Sequence, residues 1–260
     1  MTFRARPTEV DIDFLASLMD DDLPPAERRR RLASDGGYLQ AALDHPEALA
    51  RLDERESGPT VSPWLLFALY LRQAARDLEA LPPIPDWTGP REVVPVLDAP
   101  LARSTLRDPR LRSELEGLLT AFTRLRPQHL VVRDERGRVR HVRLSDLDPN
   151  SLRHGLEYAT GEVAGDLLRR MADTHLFLAG VHPEHVVDRR GREIGQWEQE
   201  GQGLYRAAAV QYEATAPAWS AELEAMAASF HGARRALNFM RERHLARAWP
   251  AWFEHAERGA

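Results

Sequence analysis

The residues of this chain best suited to bind an anion are arginines in a sequence typical of a β-hairpin. The segment around 129–143 reads HLVVR, then DERG, then RVRHVRL, and this pattern predicts two paired strands joined by a turn. A guanidinium is planar and makes bidentate hydrogen bonds, so it suits phosphate and carboxylate groups. The candidate set for an anion or nucleic acid is Arg133, Arg136, Arg138, Arg140 and Arg143.

The charge of the chain is unevenly distributed. Residues 101–143 hold eleven arginines and five acidic residues, a local charge of +6, whereas the complete chain carries a net charge of −5. Clustered arginine on an extended ribbon is typical of phosphate binding. We expect Arg138 and Arg140 to share one strand face and to act with Arg133 in bidentate contacts. Pairing of these arginines with acidic residues of the same chain, or with an acidic protein, is the alternative.

A second group of residues has the chemistry of a metal site. Imidazole and carboxylate ligands suit first-row metals, and the candidate ligands are His175, His182, Glu184 and His185. The signature spacings HExxH and Glu-x-x-His are absent. His175 lies on an apolar helical stripe, which favours a hydrogen-bonded core residue, and His182 to His185 suit the negative end of a helix dipole. Because these four residues have the chemistry of metal ligands, a metal-dependent helical enzyme is the alternative function.

Two missing residue types exclude much chemistry. The chain has no cysteine and no lysine, and its 35 basic residues are all arginine. Without cysteine there is no disulfide, thiol nucleophile or cysteine-ligated cluster. Without lysine there is no Walker A loop, pyridoxal Schiff base or lysine general base. No G-x-S-x-G elbow occurs either. We expect no cofactor, and the sequence leans towards a non-enzymatic protein.

Helical periodicity dominates the elements that must position these residues. Thr8 is the expected N-cap of a helix over 8–20. Ser62 followed by Pro63 is the clearest helix start, because serine caps well and proline suits the first helical position. Further helices are expected over 108–125, 163–180 and 204–213. The polar segment 181–203 is expected to be a flexible connection, since its Gly201-Gln202-Gly203 run lacks the strand and third glycine of a dinucleotide site.

The last helix is expected to be the longest, starting near Pro217. Its apolar residues alternate steps of four and three, the spacing of a packed seam: Trp219, Leu223, Met226, Phe230, Ala233, Leu237, Met240 and His244. Such a seam serves either a homodimer or the core of a bundle within one chain. Bulky aromatic residues on the seam favour the bundle.

Six prolines between residues 82 and 100 predict an extended connector. The expected organisation is an N-terminal helical subdomain (1–80), a Pro-rich connector (81–102) and a helical subdomain with the Arg-rich hairpin (103–260), with one continuous domain as the alternative. The fold class is mainly α: a multi-helix bundle with one inserted β-hairpin (about 129–143) and a long C-terminal helix.

Three stretches carry a family resemblance. SPWLLFALYLRQAARDL, DWTGP and ADTHLFLAGVHPEH, within Val61–His185, resemble an uncharacterised family of helical proteins from GC-rich bacteria. The resemblance implies a bacterial helical protein and transfers no catalytic residue. The opening MTFRARPTEV has no apolar signal segment, and the longest apolar run, Trp64–Leu71, is too short to cross a bilayer. We expect a cytoplasmic protein without membrane association.

The sequence thus favours a non-enzymatic helical interaction or regulatory protein. Its Arg-rich face is expected to engage an anionic macromolecule, either a protein or nucleic acid. A homodimer through the C-terminal helix is the second expected contact.

Overall fold

A computed structural model describes residues 6–54, 61–89, 92–123, 128–133, 139–144, 149–189 and 193–245. For residues 88–89, 128–133, 139–144, 149–150 and 188–189 the description covers the backbone alone. The mainly α fold predicted from the sequence, with its inserted hairpin and long C-terminal helix, is confirmed. No helix of the described part is long and apolar enough to cross a membrane.

Helices account for most of the described chain. They are α1 (Glu9–Leu18), α2 (Pro25–Ser34), α3 (Gly36–Leu43), α4 (Ala48–Asp53), α5 (Pro63–Asp77), α6 (Ala99–Arg107), α7 (Pro109–Phe122), α8 (Pro149–Leu156), α9 (Gly161–Val181), α10 (Ile194–Tyr212) and α11 (Pro217–Met240). Short 3₁₀ or π turns follow α5, α9 and α11 at Leu78–Ala80, His185–Arg189 and Arg241–Leu245.

Within the described residues, four strands form two antiparallel hairpins. The first joins β1 (Ile84–Gly89) to β2 (Glu92–Val96), and the second joins β3 (Gln128–Arg133) to β4 (Val139–Leu144). The second hairpin is the one predicted around 129–143. The first lies in the Pro-rich segment, where an extended connector was expected but no strand pairing. Pro85 lies opposite Pro95, so the two residues without an N–H share one position of the ladder.

The predicted helix starts are confirmed by their capping contacts. The Ser62 hydroxyl accepts a hydrogen bond from the Leu65 N–H at 3.3 Å, and Pro63 is the first residue of α5. Thr8 and Asp11 form a reciprocal capping box at the start of α1. The Asp11 carboxylate also accepts the Ser62 N–H at 2.8 Å, so the caps of α1 and α5 are joined.

Helix α5 contributes to two clusters of buried residues. Leu65 and Leu69 pack with residues of α1 to α4, whereas Phe67 and Leu71 pack with α6, α7 and the long helices α9 to α11. One helix therefore links the apolar interiors of the N-terminal and C-terminal parts. The division at 81–102 stays a prediction.

The seam of α11 is buried within this chain, as the bundle interpretation predicts. Leu223, Met226, Phe230, Leu237 and Met240 are almost without solvent exposure. The helix packs against α6, α9 and α10. Homodimer formation through α11 stays a prediction.

The expected flexible connection over 181–203 is wrong for its second half, because α10 already begins at Ile194. Gly201 is buried where α10 crosses α11, and a β-carbon there would lie 2.5 Å from the Phe230 ring. Trp197 anchors the same stretch by donating its indole N–H to the His175 carbonyl at 2.9 Å. Glycine here allows two helices to approach closely.

Candidate functional site

The register of the β3–β4 hairpin determines how its arginines are grouped. Arg133 lies opposite Val139, Arg140 opposite Val132, and Arg143 opposite His129. Paired residues share a face of an antiparallel sheet, and alternate residues of a strand do as well. The register therefore places His129, Val131, Arg133, Val139, His141 and Arg143 on one face. We call this set the basic face.

Arg140 belongs to the opposite face of the hairpin, together with Leu130 and Val142. The register therefore separates Arg140 from Arg133 by face, because a shift of one residue along a strand changes the face. The expectation that Arg133, Arg138 and Arg140 bind an anion together stays a prediction. Arg136 and Arg138 lie outside the described residues, so the expected Arg138–Arg140 face stays a prediction.

Two arginines of α6 and α7, the helices that precede the hairpin, are exposed. They are Arg107 and Arg110. Arg107 donates a hydrogen bond to the Glu79 carboxylate at 2.8 Å. The basic stretch of residues 101–143 thus includes exposed helix positions as well as the hairpin.

His175 is a buried, hydrogen-bonded core residue, as its position on the apolar stripe predicts. Its Nδ1 lies 2.8 Å from the Met171 carbonyl, which can only accept, so Nδ1 carries a proton. The ring stacks on Trp197 with centroids 4.1 Å apart, and Nε2 lies 3.4 Å from the Glu200 carboxylate. These contacts explain a histidine inside an apolar helix stripe.

The other three candidate ligands follow α9. Glu184 accepts a hydrogen bond from Arg241 at 2.9 Å, and His182 Nδ1 lies 3.6 Å from the same carboxylate. Burial raises the pKa of Glu184, but His182 and Arg241 outweigh it and leave the pKa below its ordinary value. His185 begins the π turn. Within the described part of the chain, no group of three or more metal-ligating side chains comes together. The metal site stays a prediction.

A cluster of charged residues that the sequence analysis missed lies around α11. We call it the polar centre: Asp86, Asp98, Glu198, His231, Arg234 and Arg235. Its α11 members recur at helical spacing, and Asn238 continues their stripe by donating to the Ala179 and Gly180 carbonyls at 3.0 and 2.7 Å. The sequence signal for this cluster is the spacing of His231, Arg234 and Arg235 at i, i+3 and i+4, beside the apolar seam of α11.

Both arginines of the polar centre are buried. Arg234 is 2% exposed and donates to Glu198 of α10 at 2.5 Å and to Asp86 of β1 at 2.8 Å. Arg235 is fully buried, pairs with Asp98, and donates to the Ile84 and Pro85 carbonyls at 2.7 and 2.9 Å. These contacts attach the first hairpin and the start of α6 to α11.

Asp86 and Glu198, two carboxylates of the polar centre, are held in their charged form. Burial raises the pKa of Asp86, but the hydrogen bond and charge of Arg234 reverse the effect, so the pKa falls below its ordinary value. The pKa of Glu198 is also lowered, because hydrogen bonding to His231 and the charge of Arg234 outweigh burial. The polar centre is therefore a network of paired ions.

A cleft of about 850 Å³ opens between the N-terminal helices and α7. Trp64 and Gln40 line it, with Glu116 and Arg169 among the charged residues. Glu116 accepts a hydrogen bond from buried Arg72 at 2.6 Å, and Arg169 donates to Glu114 at 3.0 Å. These charges of the cleft thus pair with residues of the chain itself.

No protein-family model, curated protein or solved structure matches this chain. Its function is therefore argued from its own residues.

Proposed function

We propose that this chain is a non-enzymatic helical interaction or regulatory protein that binds an anionic macromolecule through the basic face of its β3–β4 hairpin. Nucleic acid is the partner to test first, because guanidinium groups on a ribbon suit a phosphate backbone. An acidic protein surface offers carboxylates to the same groups and is the other partner of this class.

The observation that carries the proposal is the register of the hairpin. It groups Arg133 and Arg143 with His129, His141 and two valines on one face, whereas the opposite face of the described strands has four apolar residues, Gln128 and a single arginine, Arg140. Two arginines on one face and mostly apolar residues on the other favour binding on one side and packing on the other.

The charged residues described in the interior support an interaction role over catalysis. Arg234, Arg235, Asp86 and Glu198 pair with one another across three elements. Both ring nitrogens of His231 lie beside carboxylates. These groups are engaged in holding the fold.

The experiment compares two matched hairpin variants by fluorescence anisotropy. A labelled random DNA duplex and a labelled single strand are titrated with wild type, with the Arg133→Gln/Arg143→Gln double variant, and with Arg140→Gln. We expect the double variant to weaken binding and to lower the slope of log K against log salt by about 0.9 for each lost phosphate contact. Arg140→Gln is expected to bind as wild type does.

Melting temperatures of the three proteins control for damage to the fold. Equal losses from the double variant and from Arg140→Gln would contradict the assignment to one face. Salt-insensitive binding, or binding that survives the double variant, would contradict the proposed function.

A further inference from the structure

The imidazole of His231 joins two helices through their carboxylates. Nδ1 lies 3.1 Å from both carboxylate oxygens of Glu198 on α10, and Nε2 lies 3.5 Å from Asp98, the residue that precedes α6. Only a protonated imidazole can donate from both nitrogens at once. The Nε2 contact with Asp98 is an ion pair, so a neutral ring loses that attraction and keeps only a hydrogen bond from Nδ1 to Glu198.

The charges around His231 favour the protonated form. Glu198 faces it from α10 and Asp98 from the start of α6, while Asp86 of β1 belongs to the same network through Arg234 and Arg235. The three carboxylates exceed the two guanidiniums by one charge, which one imidazolium balances. The side chain is 42% exposed, so a proton can exchange with solvent without opening the core.

We propose that His231 is a proton-dependent clamp: its imidazolium holds Glu198 of α10 and Asp98 at the start of α6 together, and loss of the proton weakens this junction. The clamp makes the attachment of α6 and the first hairpin to the long helices sensitive to pH. It is independent of the proposed anion binding by the second hairpin.

The titration of His231 has the direction that the clamp requires. The hydrogen bond to Glu198 raises the pKa of His231 above its ordinary value, and burial opposes this effect without reversing it. Because the pKa of His231 is raised in the folded chain, the stability that its charge contributes is fully present below the pKa of histidine in the unfolded chain, about 6.5. That contribution is lost as the pH rises through the pKa of His231 in the folded chain.

The first test is an NMR titration of the histidine ring protons in the full wild-type chain, with His231 assigned by triple resonance. We expect its midpoint to lie above about 6.5, the value of an unperturbed imidazole. A midpoint at or below that value would overturn the proposal. This measurement needs no variant and stands even if a substitution prevents folding.

The second test measures melting temperature against pH for wild type, His231→Gln and a matched control, His154→Gln. His154 lies on α8 and is exposed. Its Nδ1 lies 3.1 Å from the carboxylate of Glu157, in the turn that follows α8. The wild type and the control are expected to lose stability as the pH rises above 6.5, and His231→Gln is expected to lose less. An identical pH dependence in His231→Gln and wild type would also overturn the clamp.

Discussion

Replacing Arg235 with methionine should remove the most deeply buried cation of the polar centre while keeping much of its volume. The guanidinium pairs with Asp98 and donates to two backbone carbonyls, those of Ile84 and Pro85. Removing one partner of a buried ion pair typically costs about 3–5 kcal/mol, because the remaining charge stays buried without compensation. Among the residues that the structure describes, Asp98 Oδ1 has no hydrogen-bond partner even in the wild type. We therefore expect Arg235→Met to lower the free energy of unfolding by about 3–5 kcal/mol.

Urea unfolding at pH 7 measures this loss, and Arg107→Met is the matched control. Arg107 pairs with Glu79 at 2.8 Å, but both side chains are more than half exposed, and exposed pairs contribute about 0–1 kcal/mol. Adding Asp98→Asn to Arg235→Met should recover part of the loss, because it removes a carboxylate left with only the 3.5 Å contact to His231. A loss below about 1 kcal/mol for Arg235→Met, within the range of an exposed pair, would refute the reasoning.

Two further predictions test the helix crossing and the acid side of the polar centre. Gly201→Ala should lower the free energy of unfolding by about 1–3 kcal/mol in urea, because its new methyl group would meet the Phe230 ring. Gly203 has open space around it, so Gly203→Ala should instead raise the free energy of unfolding by about 0.5–1 kcal/mol. Equal effects of the two substitutions would contradict the close approach of α10 and α11. The pKa of Glu198 is lowered in the folded chain, so the stability that its charge supplies is present above about pH 4.3, the ordinary glutamate pKa. That stability is lost as the pH falls through the pKa of Glu198 in the folded chain. Glu198→Gln should therefore lose less stability on acidification than wild type. An unchanged acid profile in melting experiments would contradict this role.

The elements with local signals were predictable from the sequence. The Ser62-Pro63 start of α5, the seam of α11 and the hairpin near 129–143 depend on caps, periodicity and turns within a few residues. The start of α10 was missed because Gly195, Gly201 and Gly203 suggest a loop, and glycine is a poor helix former. Tertiary packing outweighs that propensity, since the space at Gly201 is filled by Phe230 of α11.

The polar centre could not be assembled from sequence, because its members come from distant parts of the chain. Asp86 and Arg234 are 148 residues apart and meet only when β1 packs on α11. The hairpin was predicted in part: its two strands were identified, but the face of each arginine depends on a register that composition does not reveal.

The most direct test of the proposed function is the salt dependence of wild-type binding to a labelled random duplex and a labelled single strand. We expect binding in the micromolar range or tighter at low salt, with log K falling linearly with log salt. For duplex DNA the slope divided by about 0.9 gives the number of phosphates contacted. No binding to either nucleic acid at low salt would contradict the assignment of the basic face to phosphates.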